Sequence, residues 1–170
     1  LKSYPEIGEI DEIGANFEEN ATLKASAVGD FLGENSLVLS DDSGLEVVAL
    51  SGEPGVYSAR YAGENASDDE NRKKLLRNLN EIDPDMSDWS ASFKCVMTLV
   101  KGYEKLATFE GSVQGTICDV ERGENGFGYD SIFIPRGYEN TFAELPSETK
   151  NSISHRSQAL EALKKWLFKA

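Results

Sequence analysis

Apolar residues recur along the chain in two periods, one helical and one extended. Residues 16–34 carry an apolar stripe at helical spacing and begin with Asn16 three residues before Glu19, the spacing of a capping box. Ser67 and Glu70 repeat that signature before a second apolar stripe. A third stripe lies near the chain's end. The three stripes, in order, are formed by Phe17, Ala21, Val28 and Leu32, by Leu75, Leu76 and Leu79, and by Leu160, Leu163, Trp166 and Leu167.

Extended segments lie between these helices. Residues 36–40 and 45–50 predict short strands on either side of Asp41 and Asp42. Residues 91–100 alternate with an apolar face of Phe93, Cys95, Met97 and Leu99, which predicts a half-buried strand. Residues 106–120 predict its antiparallel partner across a turn at 101–104, and residues 131–135 a short strand that Pro135 closes. These elements indicate a mixed α/β fold with a largely mixed sheet.

Composition and charge limit the possible partners. The chain has 170 residues, 39% of them hydrophobic, which fits one domain over residues 1–170. Its 30 acidic and 17 basic residues give a net charge of -13, which opposes binding to a nucleic-acid polymer. A small anionic ligand remains compatible, because a divalent cation and a few basic side chains can reverse the local sign.

Cysteine use and hydropathy indicate where the protein resides. Cys95 and Cys118 have neither disulfide-like nor metal-ligand spacing, so we expect reduced thiols and a cytoplasmic protein. No apolar run approaches the roughly 20 residues of a membrane span, and residues 1–14 do not resemble a signal peptide. We therefore expect no membrane association.

Three polar segments are candidates for chemistry. Asp41 and Asp42 predict either a solvated turn or a metal and base site, and Asp-Ser-Gly also occurs in aspartic proteases. Phe127 lies between two glycines, where it could stack on a flat ring or pack into the core. The segment 147–160 contains His155 and Arg156, which could bind an anion or a carbonyl-rich base or be structural. There Ser152 or Ser154 could cap the following helix.

Together these segments resemble a known family. SDDSGLEVVALSGEPGVYSARYAGE (40–64), GFGYDSIFIP (126–135) and KNSISHR (150–156) occur in the order typical of inosine triphosphate pyrophosphatases. FEENATLKA (17–25) and TFAEL (141–145) are similar as well. The resemblance covers essentially the whole chain, and three long motifs in order make coincidence implausible.

The resemblance implies a fold and an activity. The fold would be an elongated mixed β-sheet with flanking helices in two lobes around a nucleotide cleft. The activity would be hydrolysis of non-standard purine nucleoside triphosphates, namely ITP, dITP and XTP, to the monophosphate and pyrophosphate. The family requires Mg²⁺ or another divalent cation and is generally homodimeric.

The resemblance also implies roles for individual residues. Asp42 would be the general base and a metal ligand, assisted by Asp41, and Glu12 would be the second metal carboxylate. Lys24 would contact phosphate, and Ser43 the nucleotide. The base-binding residues implied are Phe127 as the stacking ring, Gly128, Tyr129 and Asp130 as the pocket wall, and Lys150, His155 and Arg156 at the base edge.

Two departures from the family pattern leave alternatives open. The family begins with a strand and a Gly/Ser/Thr-x-Asn-x-x-Lys phosphate loop, and this chain begins after that point. Either a longer gene product carries the loop or catalysis is impaired, in which case a non-catalytic nucleotide-binding protein is the alternative. Ser131 stands where the family usually has proline. A third class, an acid protease with the Asp-Ser-Gly signature, would account for only one of the motifs.

Overall fold

The computed structural model describes residues 4–169. Four helices and four strands follow the order α1, β1, α2, β2, β3, β4, α3, α4. Their bounds are α1 Phe17–Leu32, β1 Leu37–Val47, α2 Asp68–Ile82, β2 Ser90–Lys101, β3 Glu104–Ile117, β4 Phe133–Pro135, α3 Ser147–Ile153 and α4 His155–Leu167. Short 3₁₀ turns are Pro5–Ile7, Val48–Leu50, Gly55–Arg60 and Asp130–Ile132.

The strands form one sheet in the order β1-β2-β3-β4. All three pairings are antiparallel, and β2 and β3 form the hairpin predicted across residues 101–104. The mixed α/β class is confirmed, with helices flanking the sheet. Parallel pairing, which the expected mixed sheet would also contain, does not occur among the described strands.

The acidic pair does not separate two strands. β1 runs without interruption through Asp41 and Asp42, which pair with Met97 and Val96 of β2. The prediction of two short strands was wrong because each carboxylate has a cationic partner, Arg156 for Asp41 and Lys24 for Asp42. With its charges compensated, the segment stays in the ladder instead of turning out to solvent.

Strand β2 is buried on both faces. Its alternation had predicted a half-buried strand, and that prediction was wrong. Helix α1 packs against β1 and β2 on one side, while α4 packs against β2 and β3 on the other. Cys95, Met97 and Leu99 belong to one apolar cluster with Ala159 of α4, whereas Val100 belongs to another with Ala25 of α1. A central strand reads as a continuous apolar run when helices cover both of its faces.

The helix starts follow their predicted caps. The Asn16 side chain accepts the Glu19 N–H before α1, and Ser67 and Glu70 form a complete capping box before α2. Ser154, and not Ser152, caps α4 by accepting the Ser157 N–H. Gly111 lets α4 approach β3, because a Cβ there would collide with the backbone of His155 and Ala159.

Candidate active site

A buried carboxylate lies on the α1 side of β1. Asp42 is 7% exposed and accepts hydrogen bonds from Asn20 Nδ2 at 3.1 Å and Lys24 Nζ at 3.2 Å. Asn20 and Lys24 are one turn apart on α1, so both reach the same strand residue. Lys24 Nζ also donates to Glu12 Oε1 at 2.7 Å. The two predicted metal carboxylates and the predicted phosphate-binding lysine therefore meet at one point.

Glu12 belongs to an extended segment that Arg60 fixes in place. Arg60 donates from Nη1 to Glu12 Oε2 at 3.2 Å and from Nη2 to the Glu12 carbonyl oxygen at 2.8 Å. Burial raises the pKa of Glu12, but Lys24 and then Arg60 outweigh it, and the pKa lies below its ordinary value. Burial lowers the pKa of Lys24, but Glu12 and Asp42 outweigh that effect and raise it. Glu12 and Lys24 are therefore both charged at neutral pH.

The donor set of this cluster fits a hard divalent cation. One oxygen of Glu12 and one of Asp42 converge on the same ammonium group, which shows that the two carboxylates can share a cation. Within residues 4–169, no three His, Cys, Asp or Glu side chains are grouped closely enough to hold a metal alone. Mg²⁺ is commonly bound by one or two carboxylates together with substrate phosphates and water, which matches this set.

Asp41 lies on the opposite face of β1 from Asp42, which does not fit the expected assistance of Asp42 by Asp41. Successive strand residues point to opposite faces, so Asp41 lies on the α4 side of the sheet. Its Oδ2 accepts a hydrogen bond from Arg156 Nε at 3.2 Å. Ser43 shares that face and accepts from Arg156 Nη2 at 2.7 Å. Asp41 and Ser43 thus hold the Arg156 guanidinium.

A cavity of about 300 Å³ opens on the α4 side, next to Ser43. It lies against β1, the 3₁₀ segment Gly55–Arg60, the 126–130 loop and the α3–α4 junction. Every predicted base-binding residue lines it, together with Phe93 beneath. The lining residues from the predicted set are Ser43, Phe127, Gly128, Tyr129, Asp130, Lys150, His155 and Arg156. Because Ser43 directly follows Asp42, the cavity and the carboxylate cluster adjoin along β1.

Phe127 stands at the cavity mouth and is not packed in the core. Its side chain is 64% exposed, with Lys150 Nζ 5.1 Å and Arg156 Cζ 5.6 Å from the ring centroid. The buried Asp130 carboxylate accepts the Phe127 N–H at 2.8 Å and is paired with Lys150. Gly126, at φ +83°, is needed here because a Cβ would collide with Asp130. The ring is flat, accessible and flanked by cations.

Tyr129 supports the cavity wall from inside the protein. Its side chain is buried, and its hydroxyl donates to the Ser58 carbonyl oxygen at 2.9 Å. Burial strongly raises the Tyr129 pKa, so the hydroxyl stays protonated. The hydrogen bond joins the 126–130 loop to the Gly55–Arg60 segment on the opposite wall.

His155 is a buried, neutral wall residue. Its ring stacks on Phe93 with centroids 5.0 Å apart and planes 10° apart. Burial, followed by the positive charges of Arg156 and Lys150, lowers the pKa of His155 to about 4. Among the described residues, its Nδ1 is the one buried side-chain nitrogen or oxygen without a hydrogen-bond partner. An unsatisfied buried nitrogen in a cavity wall suits hydrogen bonding to a bound ligand.

The depressed pKa of His155 predicts acid sensitivity of the fold. Above pH ~6.5 the ring is neutral in both states, whereas between ~6.5 and ~4 the unfolded chain binds a proton that the folded chain does not. The free energy of unfolding should therefore fall by up to about 3 kcal/mol over that range because of this residue. Urea unfolding of the parent and His155→Phe, which keeps a stacking ring, measures the difference. Identical pH slopes would contradict the assignment.

Sequence reasoning missed several residues of the site, among them Asn20, Ser58, Arg60 and Asp68. Asn20 could have been found, since it precedes Lys24 by one turn on the same helix face. Ser58 and Arg60 lie in the 3₁₀ segment Gly55–Arg60, and Asp68 begins α2, so only tertiary structure brings them to the site. The Asp42 carboxylate meets an ammonium and an amide, which gives no support to an aspartic-protease pair.

Comparison with known proteins gives consistent matches. The sequence profile of the Ham1 family matches residues 1–166. A dITP/XTP pyrophosphatase of Listeria monocytogenes serovar 1/2a is 48% identical over 165 residues, covering 97% of this chain and 79% of that protein. A dITP/XTP pyrophosphatase of Bacillus subtilis is 48% identical over 170 residues, covering 98% and 84%. The solved HAM1 protein from Coxiella burnetii has a TM-score of 0.90 at 44% identity, covering 97% and 83%.

Proposed function

The chain belongs to the Ham1 family, and on that premise we propose that it hydrolyses non-standard purine nucleoside triphosphates to the monophosphate and pyrophosphate. ITP, dITP and XTP are the proposed substrates. The two relatives named dITP/XTP pyrophosphatase, each 48% identical to this chain, support the assignment. The Asp-Ser-Gly protease alternative has no such support.

One structural observation carries the proposal. A cavity with an exposed aromatic ring and two flanking cations adjoins a partly buried cluster of two carboxylates and a lysine along a single strand. The cavity suits a flat, carbonyl-bearing base, and the cluster suits a triphosphate with its cation. A protein that only binds nucleotides would need the cavity alone, while hydrolysis needs both the cavity and the carboxylate cluster.

In the proposed reaction, water attacks phosphorus at the α–β bridge and the bridging P–O bond breaks. The Asp42 carboxylate accepts the proton of the attacking water, and Asn20 holds that carboxylate in position. Lys24, which remains charged, provides positive charge beside the phosphates. A divalent cation held by Glu12 and Asp42 would neutralise phosphate charge when bound. Pyrophosphate then leaves, and the monophosphate remains against Phe127.

The cavity edge explains a preference for 6-oxo purines. Arg156 and Lys150 bring donors to the cavity, and a donor favours the 6-oxo group of hypoxanthine over the 6-amino group of adenine. A buried donor facing another donor is unsatisfied, which costs about 1–3 kcal/mol. Selection would therefore depend on the edge residues and not on the stacking ring.

Substitutions of Arg156 at the cavity edge and of the Phe127 ring test whether base selection and stacking depend on different residues. Arg156→Ala should lower kcat/KM for ITP more than for ATP, reducing the ITP:ATP ratio by about 5- to 100-fold, the equivalent of a lost charged hydrogen bond. Phe127→Ala should weaken both substrates about equally, because stacking does not distinguish the 6-substituent. Steady-state kinetics with both nucleotides on the full gene product gives the ratios. If Arg156→Ala leaves the ratio unchanged, Arg156 is structural.

Three finer features are also proposed. Mg²⁺ or another divalent cation is the proposed cofactor, on the donor set of Glu12 and Asp42. The free thiols of Cys95 and Cys118 support a cytoplasmic protein. A homodimer is proposed from the family resemblance alone, and light scattering after size-exclusion chromatography would test it.

Within residues 4–169, no helix has the length and apolarity to cross a bilayer.

A further inference from the structure

The Phe127 ring has little packing of its own to hold it. It is 64% exposed, and its neighbours on the cavity side are the cationic ends of two long side chains. Its direction is therefore set by the backbone of the 126–130 loop. Gly128, which follows it at φ +60°, has no side chain to pack against the protein.

Two residues of α2 bind the Gly128 backbone. The Gly128 N–H donates to Asp68 Oδ2 at 2.7 Å, and Arg72 Nη1 donates to the Gly128 carbonyl oxygen at 2.8 Å. Asp68 and Arg72 are one turn apart on α2, so one helix face supplies both an acceptor and a donor. The N–H and the carbonyl of one residue are thus both bound.

The Arg72 guanidinium is itself held in place. Its Nε donates to Glu121 Oε2 at 2.8 Å, and its side chain is only 16% exposed. The same Glu121 oxygen accepts a hydrogen bond from Ser131 Oγ at 3.0 Å. The planar guanidinium binds Glu121 and Gly128 with two different nitrogens, which a lysine ammonium cannot reproduce with the same rigidity. The contacts connect α2, the 119–123 segment and the 126–131 loop.

We propose that Arg72, together with Asp68, is a positioning residue for substrate binding: the α2 N-terminal turn holds the Gly128 backbone and thereby sets the Phe127 ring for stacking on the base. This role rests on the proposed function, which supplies the substrate. The clamp, meaning the two hydrogen bonds that join the Gly128 backbone to Asp68 and Arg72, does not depend on the reaction. Arg72 acts through Phe127 and is remote from the Asp42 cluster on the other side of β1.

Kinetics should show a binding defect and no loss of chemistry. Arg72→Met removes both hydrogen bonds while keeping a long apolar stem. KM should rise about 5- to 10-fold for ITP and ATP alike with kcat little changed, because stacking contributes equally to ground and transition states. Arg72→Lys should recover only part of the affinity. Lys73→Met is the matched control, since Lys73 neighbours Arg72 on α2 but pairs with Asp69 in solvent.

A double-mutant cycle separates positioning from a general structural role. If Arg72 acts through the ring, Arg72→Met should have no further effect on kcat/KM once Phe127 is alanine. Additive effects of Arg72→Met and Phe127→Ala would overturn the proposal. So would a change in kcat alone.

Amide hydrogen exchange tests the clamp without any activity. Peptides covering residues 126–130 should exchange faster in Arg72→Met than in the parent or Lys73→Met, while peptides from β2 exchange as before. Unchanged exchange in 126–130 would refute the clamp even if ITP is hydrolysed. Faster exchange in a protein that neither binds nor hydrolyses ITP would contradict the proposed function and the stacking role, and leave only the clamp.

Discussion

Asp42→Asn is expected to lower the rate of ITP hydrolysis by at least about 100-fold, because it removes the proposed base for the attacking water. The substitution changes shape little and keeps one oxygen for the hydrogen bond from Asn20. The fold should persist, although Lys24 would lose the charge of one carboxylate partner. Steady-state kinetics and thermal unfolding of the same preparations measure both effects. More than about a tenth of the parental rate would refute the assignment of Asp42 as the base.

Asp41→Asn provides the matched control. It makes the same chemical change one residue earlier, on the opposite face of β1, where the carboxylate binds Arg156. We expect a far smaller loss of turnover, since Asp41 holds a base-pocket residue and lies away from the Lys24 cluster. Equal losses of turnover in the two variants would contradict the assignment of different roles to the two faces of β1.

Removal of divalent cations should have an equally large effect. Excess EDTA should reduce ITP hydrolysis by more than about 100-fold, and Mg²⁺ should restore it, because two carboxylates beside a triphosphate leave its negative charge uncompensated. The rate should also rise from neutral to alkaline pH, as the attacking water must lose a proton. Chromatographic measurement of the IMP formed from a fixed ITP concentration, without a coupling enzyme, gives both dependences. Full activity in EDTA would exclude Glu12 and Asp42 as ligands of a required cation.

Two glutamates on the same segment refine that test. Glu12→Gln should raise the Mg²⁺ concentration needed for half-maximal activity, because it removes a charged oxygen ligand. Glu9→Gln, at an exposed position three residues earlier, should leave that concentration unchanged. The same increase in this Mg²⁺ concentration in both variants would mean that the overall charge of the segment matters, and that Glu12 is not a metal ligand.

Local signals predicted much of the fold. The starts of α1, α2 and α4 have side-chain caps that depend on residues three apart, and the β2–β3 hairpin needed only alternation and a short turn. The course of β1 was not predictable in this way. Its acidic pair interrupts an apolar pattern, and only Lys24 and Arg156, distant in sequence, make an uninterrupted strand favourable. The burial of both faces of β2 likewise depends on helices from opposite ends of the chain.

The site was predictable where a motif carried it. Phe127, Lys150, His155 and Arg156 line one cavity, as the resemblance implied, and Glu12 meets Asp42 through Lys24. Arg60 and Arg72 were not predicted, because both act through contacts to backbone or carboxylate groups 48 to 56 positions away. Nor was the separation of Asp41 from Asp42, which depends on the strand remaining regular.

Identification of the products of ITP hydrolysis tests the central claim most directly. The full gene product, incubated with ITP and Mg²⁺, should yield IMP and pyrophosphate in equal amounts by ³¹P NMR, with dITP and XTP cleaved similarly and ATP far more slowly. Formation of IDP and inorganic phosphate would show cleavage between the β and γ phosphates instead of between the α and β phosphates. That result, or binding of ITP without hydrolysis, would contradict the proposal that this protein is a pyrophosphatase of non-standard purine nucleotides.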